Sequence, residues 1–501
     1  MFLNRFLDCK FGKNLITMSV DVRKLSPEVV WNFFEDLNAI PRGSKKEDKV
    51  RAYVRDFGLS LGLETKVDQI GNVIIKKPAT SGMEDRVGVI LQGHIDMVWQ
   101  KNADTDFDFE TQGIESYIDG DWVTAKGTTL GADNGMGVAA AMALLASTEI
   151  PHPPLEGLFT IDEETGMTGA KGLQGGELDG KILLNLDTED DDELTIGCAG
   201  GVDTVGTKKY EAVRPTAGSK GVFLKVSGLT GGHSGMDIHL GRGNANLIMN
   251  RFLWQVQEKF GVSIASIDGG GLRNAIPRES QAIVAVSDLV GFKTYAEELA
   301  IEIKAELETT DPNFKLEFKE VDCPDLVMPQ NEQNKFVRTV YTIPNNIWRM
   351  SPDMENLTET SSNLARVLVK DGQISIETLQ RSSVESQKWD IANSVRCAME
   401  MMEANVEHSG SYPGWTPKPD APIVSIMSDL YTKMYNDNPH VNACHAGLEC
   451  GILGTNYPEV QMISFGPTIK GAHSPDERVN IKSVAKFWDY LLETLVQIPK
   501  A

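Results

Sequence analysis

Short apolar runs alternate with helical patterns along the first 200 residues. Continuous apolar runs at residues 87–91, 158–161 and 182–186 predict strands that are covered on both faces. Residues 135–147 are rich in Ala, Met and Leu and predict a buried helix between the first two strands. This alternation is typical of an α/β fold with a mostly parallel, mixed sheet that helices flank.

The chain before these strands has a helical pattern. Residues 26–63 are predicted as a helix, because Ser26 can cap it and Pro27 suits its first position. The β-branched run at residues 72–75 predicts a short strand.

The pattern changes after about residue 200. Residues 220–226 alternate polar and apolar side chains, which predicts a half-exposed strand. A further strand at residues 282–286 and helices at 244–259 and 294–309 indicate strand–helix units that recur to about residue 395. Buried patterns then return. A strand is predicted at residues 460–465 and a closing amphipathic helix at 481–496.

A chain of 501 residues is too long for one hydrophobic core. The simplest organisation is one domain interrupted by another. Residues 19–200 and 396–501 are predicted to form the two parts of an α/β domain, and residues 201–395 an inserted α+β domain.

The composition narrows the possible partners and compartment. The net charge of -23 does not favour nucleic acid as a partner, since it repels phosphate backbones. No run approaches the ~18 apolar residues of a membrane span, so no membrane partner is expected. Six sparse cysteines without a CxxC pair predict reduced thiols in the cytoplasm. Residues 1–18 lack a continuous apolar region and are expected to be a short extension, with Met18 as an alternative start.

Acidic and histidine residues lie next to several of the predicted buried elements. In open α/β sheets, ligands bind beyond the carboxyl ends of the strands, so five segments can deliver side chains to one edge. The candidates are His94, Asp133, Glu164, Asp187 and His473. His94 alone is more often a structural histidine, but the ordered combination favours a site.

The mixture of imidazole and carboxylate ligands suits zinc or a similar divalent ion. Five ligands exceed what one open catalytic zinc needs, and they fit two ions that share a carboxylate. Glu163 and Glu164 lie in a turn after a strand, where both can face the cleft. One can bind metal while the other accepts a proton from water.

These segments resemble the metal motifs of the aminoacylase/carboxypeptidase-type co-catalytic zinc peptidases. The metal motifs are residues 92–97, 131–137, 162–166, 184–187 and 471–475. Further stretches resemble the aminoacyl-histidine (Xaa-His, non-specific) dipeptidase branch. They are residues 40–44, 71–74, 231–235, 273–277, 412–415 and 445–450. The likeness runs from about residue 24 to the C-terminus.

The resemblance implies a role for each residue of the metal motifs. Asp133 would bridge two ions, His94 and Asp187 would hold one, and Glu164 and His473 would hold the other. Asp96 would orient His94 by accepting its second ring N–H. Glu163 would be the general base. None of these seven positions departs from the family pattern.

The inserted domain would be a lid over the site. His233 would help to polarise the scissile carbonyl. Asn274 and Arg349 are candidates for oxyanion and carboxylate binding. His445 and Glu449 are candidates for the pocket of the substrate's amino end.

The resemblance implies hydrolysis of dipeptides, including Xaa-His dipeptides such as carnosine. Two alternatives stay open within the hydrolases, an N-acyl amino acid deacylase and a tripeptidase with the same metals. A third alternative is an inactive metal-binding scaffold, whose signature would be loss of Glu163 or of a ligand. A lid of this size covers the site within one chain or also pairs two chains, so a homodimer stays open.

Overall fold

A computed structural model describes residues 22–501 of the protein. The expected extension at residues 1–18, with its alternative start, lies outside the described residues. The chain forms two compact units. The first comprises the described residues up to Ile196 together with Pro419–Val441 and Leu453–Ala501, and the second comprises Gly197–Lys418 and Asn442–Ile452.

The β-structure of the described chain consists of strands of very different length. They are β1 (Glu64–Val67), β2 (Val73–Lys77), β3 (Val89–His94), β4 (Ser116–Asp119), β5 (Trp122–Ala125), β6 (Leu155–Thr160), β7 (Ile182–Asn185), β8 (Glu193–Cys198), β9 (Gly200–Lys209), β10 (Lys220–Ser227), β11 (Gly232–His233), β12 (Val262–Gly270), β13 (Ala275–Ile276), β14 (Ser280–Val286), β15 (Lys315–Val321), β16 (Asn346–Met350), β17 (Thr358–Lys370), β18 (Gln373–Ser382), β19 (Asn405–Tyr412), β20 (His440–Cys444), β21 (Gln461–Ser464), β22 (Ile469–Lys470) and β23 (Arg478–Asn480).

The α-helices range from single turns to helices of four or five turns. They are α1 (Glu28–Asn38), α2 (Asp48–Ser60), α3 (Ala132–Ala146), α4 (Glu163–Gly166), α5 (Thr168–Gly172), α6 (Ala245–Phe260), α7 (Leu289–Glu306), α8 (Gln330–Thr342), α9 (Glu385–Met401), α10 (Pro422–Tyr435), α11 (Glu449–Asn456) and α12 (Ile481–Gln497). Short 3₁₀ helices occur at Val22–Lys24 and Ile238–Leu240.

The main sheet of the first unit is mixed, as the sequence predicts. Its strand order is β1-β2-β6-β3-β7-β21-β8-β20. The central strands β6, β3, β7 and β21 run parallel to one another, whereas β1 and β2 add an antiparallel edge. Every residue of β3, β6 and β7 is buried, which confirms that their apolar runs lie between two covered faces.

The predicted helix at residues 26–63 is wrong as one element, because the chain forms two helices there. Residues 39–47 leave the helical path and separate α1 from α2. Pro41 accounts for the break, since it lacks an N–H and disfavours a helical conformation at Ile40. The loop that results carries Arg42 and Ser44 towards the carboxyl end of β3.

The second unit is built on an antiparallel sheet with helices against it. The strand order is β15-β10-β14-β12-β17-β18-β9-β19, and β16 pairs with β17 beside this path. Helices α6 to α9 cover a continuous apolar core. Asn244 caps α6 by accepting the N–H groups of Asn246 and Leu247, as expected at the start of a helix.

Three of the four boundaries between the units fall inside β8, β20 and α11, and the fourth lies between Lys418 and Pro419 in the loop before α10. They differ from the domain boundaries that the sequence suggests after residues 200 and 395. Residues 396–418 pack with the second unit because β19 pairs with β9 there. Residues 442–452 also pack with it, and His445 contacts Ser361. The division into a catalytic and a lid domain stays a prediction.

Within residues 22–501, no helix has both the length and the apolar character that crossing a membrane requires.

Candidate active site

Parallel strands bring three of the predicted segments to one edge of the first unit's sheet. His94 is the last residue of β3, and Glu163 follows β6 after a two-residue turn. Asp187 follows β7, which lies on the other side of β3. The carboxyl ends of these strands share one edge because the strands run in the same direction.

Five of the predicted residues form one connected series of direct contacts. The Nε2 atom of His94 lies 3.0 Å from Oδ1 of Asp133 and 3.4 Å from Oδ1 of Asp187. The Nε2 atom of His473 lies 3.1 Å from Oδ2 of Asp133 and 2.8 Å from Oε2 of Glu164. The two oxygens of Asp133 therefore face different histidines. Two ions that share one carboxylate need this arrangement.

The carboxylate of Asp96 contacts both His94 and the turn that carries Glu163 and Glu164. Its buried carboxylate lies 3.4 Å from Nδ1 of His94. It also accepts the backbone N–H groups of Glu163 at 3.0 Å and Glu164 at 3.3 Å, and the hydroxyl of Ser44 at 2.8 Å. One carboxylate thus lies beside an imidazole and accepts two N–H groups of the turn that carries the paired glutamates.

The charges of the cluster favour a cation at its centre. Hydrogen bonds to Asp133 and Glu164 raise the pKa of His473 to about 11, although its side chain is half exposed. Burial opposes ionisation of Asp133, yet hydrogen bonds from His473 and His94 hold the pKa of Asp133 below its usual value. Oε1 of Glu164 is buried and accepts no hydrogen bond from the described residues. Such a concentration of oxygen and nitrogen donors fits divalent metal ions.

His233 lies in β11 of the second unit, with its tautomer fixed by the backbone. Its Nδ1 accepts N–H groups from Gly235 at 3.2 Å and Met236 at 3.0 Å. The proton of the neutral ring therefore resides on Nε2. Burial and the charge of Arg381 lower the pKa of His233 to about 4. At neutral pH, His233 is an uncharged hydrogen-bond donor through Nε2.

The other predicted binding residues of the second unit differ in exposure and in the residues that they contact. Asn274 is exposed in the turn before β13, and its carbonyl accepts the N–H of Ser234 at 2.8 Å. Arg349 lies in β16, with its side chain 45% exposed and 3.4 Å from Glu359. His445 is buried, and its Nε2 lies 2.7 Å from the hydroxyl of Ser361. Glu449 is buried at the start of α11.

Arg381 is a candidate that the sequence analysis missed. It is 5% exposed, and Nη1 donates to the hydroxyl of Tyr412 at 2.9 Å. Its Nε has no partner among the described residues, which also provide no salt bridge to it. Its charge contributes to the low pKa values of His233 and His445, which is lowered to about 3 mainly by burial. A buried guanidinium without a direct salt bridge suits an anionic ligand.

Three further residues contact the cluster of the first unit and were not assigned from sequence. Arg42 and Ser44 lie in the motif at residues 40–44, which was noted only for its resemblance. Glu477 is buried four residues after His473. Its nearness in sequence to the predicted ligand His473 could have indicated Glu477 as a candidate. No sequence pattern distinguished Arg381 from other arginines.

Comparison with known proteins places these features in a family. The profile of "Peptidase family M20/M25/M40" matches residues 90–497. The chain is 41% identical to the cytosol non-specific dipeptidase of Escherichia coli (strain K12), over 96% of this chain and 99% of that protein.

Solved structures show the same relationship. An aminoacylhistidine dipeptidase from Vibrio alginolyticus is 44% identical, with a TM-score of 0.88 over 96% of this chain and 98% of that one. The aminopeptidase PepT from Bacillus cereus shares the fold, with a TM-score of 0.55 and 15% identity over 95% of this chain and 99% of that one. The extent of the family match and the identity to these relatives show that the chain is a member of peptidase family M20/M25/M40.

Proposed function

We propose that the protein is a metal-dependent dipeptidase. The observation that carries the proposal is the convergence of five residues through successive contacts of 2.8 to 3.4 Å, namely Asp187, His94, Asp133, His473 and Glu164. The names of the E. coli and Vibrio relatives, which are both dipeptidases, support it. The name of the first relative also supports a cytoplasmic location.

The donor set supports two divalent ions, with zinc as the first choice. His94 and Asp187 would hold one ion, Glu164 and His473 would hold the other, and Asp133 would contact both. Mixed imidazole and carboxylate ligation is usual for zinc. When bound, the ions would polarise the substrate carbonyl and make water more acidic.

The residues of the first unit would move the protons of the reaction. Glu163 accepts a proton from the attacking water and delivers it to the nitrogen of the leaving amine. Asp96 holds this residue in place through its backbone N–H at 3.0 Å. The same carboxylate orients the ring of His94.

The residues of the second unit would bind the substrate. His233 would present Nε2–H to the carbonyl oxygen, whose negative charge grows during attack. Arg381 is a better candidate than Arg349 for the terminal carboxylate, because Arg381 is buried with an unpaired Nε and no direct salt bridge, whereas Arg349 contacts Glu359. Asn274 would assist at the oxyanion, and His445 and Glu449 would line the pocket for the amino end.

A substrate panel tests the function. The purified protein is stripped of metal, reloaded with zinc, and assayed with carnosine, other Xaa-His dipeptides, unrelated dipeptides, tripeptides and N-acetyl amino acids. We expect turnover of dipeptides that depends on metal and exceeds turnover of the other two classes. Preference for tripeptides or N-acetyl amino acids would favour the corresponding alternative enzyme. Full zinc loading without any turnover would favour the scaffold.

A further inference from the structure

Two buried residues of opposite charge hold the loop that leads into α3. Glu477 is 2% exposed and Arg42 is 1% exposed. Both contact the backbone between Leu130 and Asp133. Burying a charged group costs free energy unless hydrogen bonds satisfy its polar atoms. The contacts with this loop help to compensate for the burial of both side chains.

The carboxylate of Glu477 accepts hydrogen bonds from the backbone N–H groups of this loop. Its Oε2 accepts from Leu130 at 2.7 Å and Gly131 at 2.9 Å. Its Oε1 accepts from Ala132 at 2.7 Å and Asp133 at 3.2 Å. Four consecutive backbone donors thus converge on one carboxylate.

The guanidinium of Arg42 donates hydrogen bonds to a carbonyl of the same loop and to a carbonyl just beyond the end of β3. Nη2 donates to the carbonyl of Gly131 at 2.6 Å, and Nη1 donates to the carbonyl of Asp96 at 3.0 Å. Gly131 has φ 74°, and a Cβ there would overlap Nη2 of Arg42. The N–H of Gly131 therefore donates to Glu477, and the carbonyl of Gly131 accepts from Arg42.

The conformation of Asp133 shows why this loop needs external support. Asp133 has φ -80° and ψ 111°, which lies outside the helical region although it is within the bounds of α3. Its backbone dihedral angles therefore differ from those that a regular helix would impose. Its carboxylate nevertheless contacts both His94 and His473.

We propose that Glu477 and Arg42 are positioning residues that fix the carboxylate of Asp133 between the two histidines. The inference rests on the proposed metal centre and adds to it residues that would not bind metal themselves. Glu477 acts through the peptide groups on the N-terminal side of Asp133. Arg42 couples these groups to the backbone of Asp96, so that both halves of the cluster keep their relative position.

The test uses cobalt binding to the full-length protein, measured by calorimetry and by the visible absorption of bound Co²⁺. In Glu477→Gln, an NH₂ group must face two backbone N–H donors, whichever way the amide is turned. We expect about 10- to 100-fold weaker cobalt binding and a changed absorption spectrum. Arg42→Lys keeps the charge but loses the fork that joins Gly131 to Asp96, and the same direction of change is expected.

Glu156→Gln is the matched control. Glu156 is 6% exposed in the same unit and accepts the backbone N–H groups of Asp179 at 2.9 Å and Gly180 at 2.8 Å. Its replacement should lower the melting temperature of the protein while leaving the cobalt affinity and spectrum unchanged. A purely structural role for Glu477 would give this same result.

The outcomes separate the two proposals. Wild-type protein that binds no cobalt and hydrolyses no dipeptide overturns the proposed function. Wild-type protein that binds cobalt, with unchanged affinity and spectrum in Glu477→Gln, overturns the positioning role alone. If Glu477→Gln does not fold, Arg42→Lys decides, and an unchanged spectrum there also overturns the role.

Discussion

The carboxylate of Asp96 accepts the backbone N–H of Glu163 at 3.0 Å, although the two residues are separated by 67 positions. The same carboxylate lies 3.4 Å from Nδ1 of His94. A proposed metal ligand and the proposed general base therefore share one anchor. A shift of that anchor would disturb metal binding and proton transfer together.

Glu163→Gln should separate these two effects. The side chain keeps its size, and the backbone contact with Asp96 does not depend on it, but the amide cannot accept a proton from water. We expect kcat to fall by about 10²- to 10⁴-fold. Metal content, measured by atomic emission, should stay at the wild-type value.

Glu164→Gln provides the comparison for that experiment. Glu164 contacts His473 at 2.8 Å, so its replacement should reduce metal content as well as kcat. Largely intact turnover in Glu163→Gln would show that another group is the base.

Sequence periodicity was sufficient for much of the fold, because buried strands and amphipathic helices leave local signals. The runs that became β3, β6 and β7 were visible as continuous apolar segments. The break between α1 and α2 was missed because helical spacing continues on both sides of Pro41.

The candidate site was predictable where chemistry and strand ends coincide in the sequence. His94 ends a buried strand and Asp187 closely follows another, so their convergence could be expected. Arg381 could not be found in this way. It lies within β18, and its significance comes from burial without a direct salt bridge, which no local sequence pattern records.

Arg381→Lys and Arg349→Lys should differ in their effect on substrate binding. Lysine keeps the charge but loses the planar fork that pairs with a carboxylate. We expect kcat/KM of a dipeptide to fall by about 10- to 100-fold in Arg381→Lys, since hydrogen bonds between charged groups contribute about 1.5–3 kcal/mol. Arg349 is 45% exposed and contacts Glu359, so its replacement should have a much smaller effect.

A dipeptide amide identifies the group that Arg381 binds. Amidation of the terminal carboxylate should lower kcat/KM strongly in the wild type and only slightly further in Arg381→Lys. Additive losses would mean that Arg381 does not contact the carboxylate. A larger loss in Arg349→Lys would return the role to Arg349.

His445 should make the protein sensitive to mild acid. Burial and the charge of Arg381 lower the pKa of His445 to about 3, whereas an unfolded histidine has a pKa near 6.5. Between these values the unfolded chain binds a proton that folded His445 does not. The contribution of His445 to the free energy of unfolding is therefore full above about pH 6.5 and decreases as the pH falls, by about 1.4 kcal/mol per pH unit.

Denaturant titrations of wild type and His445→Gln between pH 7 and pH 4.5 measure this contribution. Loss of metal at low pH affects both proteins, so the difference between their slopes isolates His445. The free energy of unfolding should fall more steeply with acid in the wild type than in the variant. His440→Gln is the control, because the His440 side chain is 72% exposed and its replacement should leave the slope nearly unchanged. Parallel pH profiles for wild type and His445→Gln would mean that folded His445 takes up a proton over the same pH range as the unfolded chain. Its buried contact with Ser361 would then involve a charged imidazole.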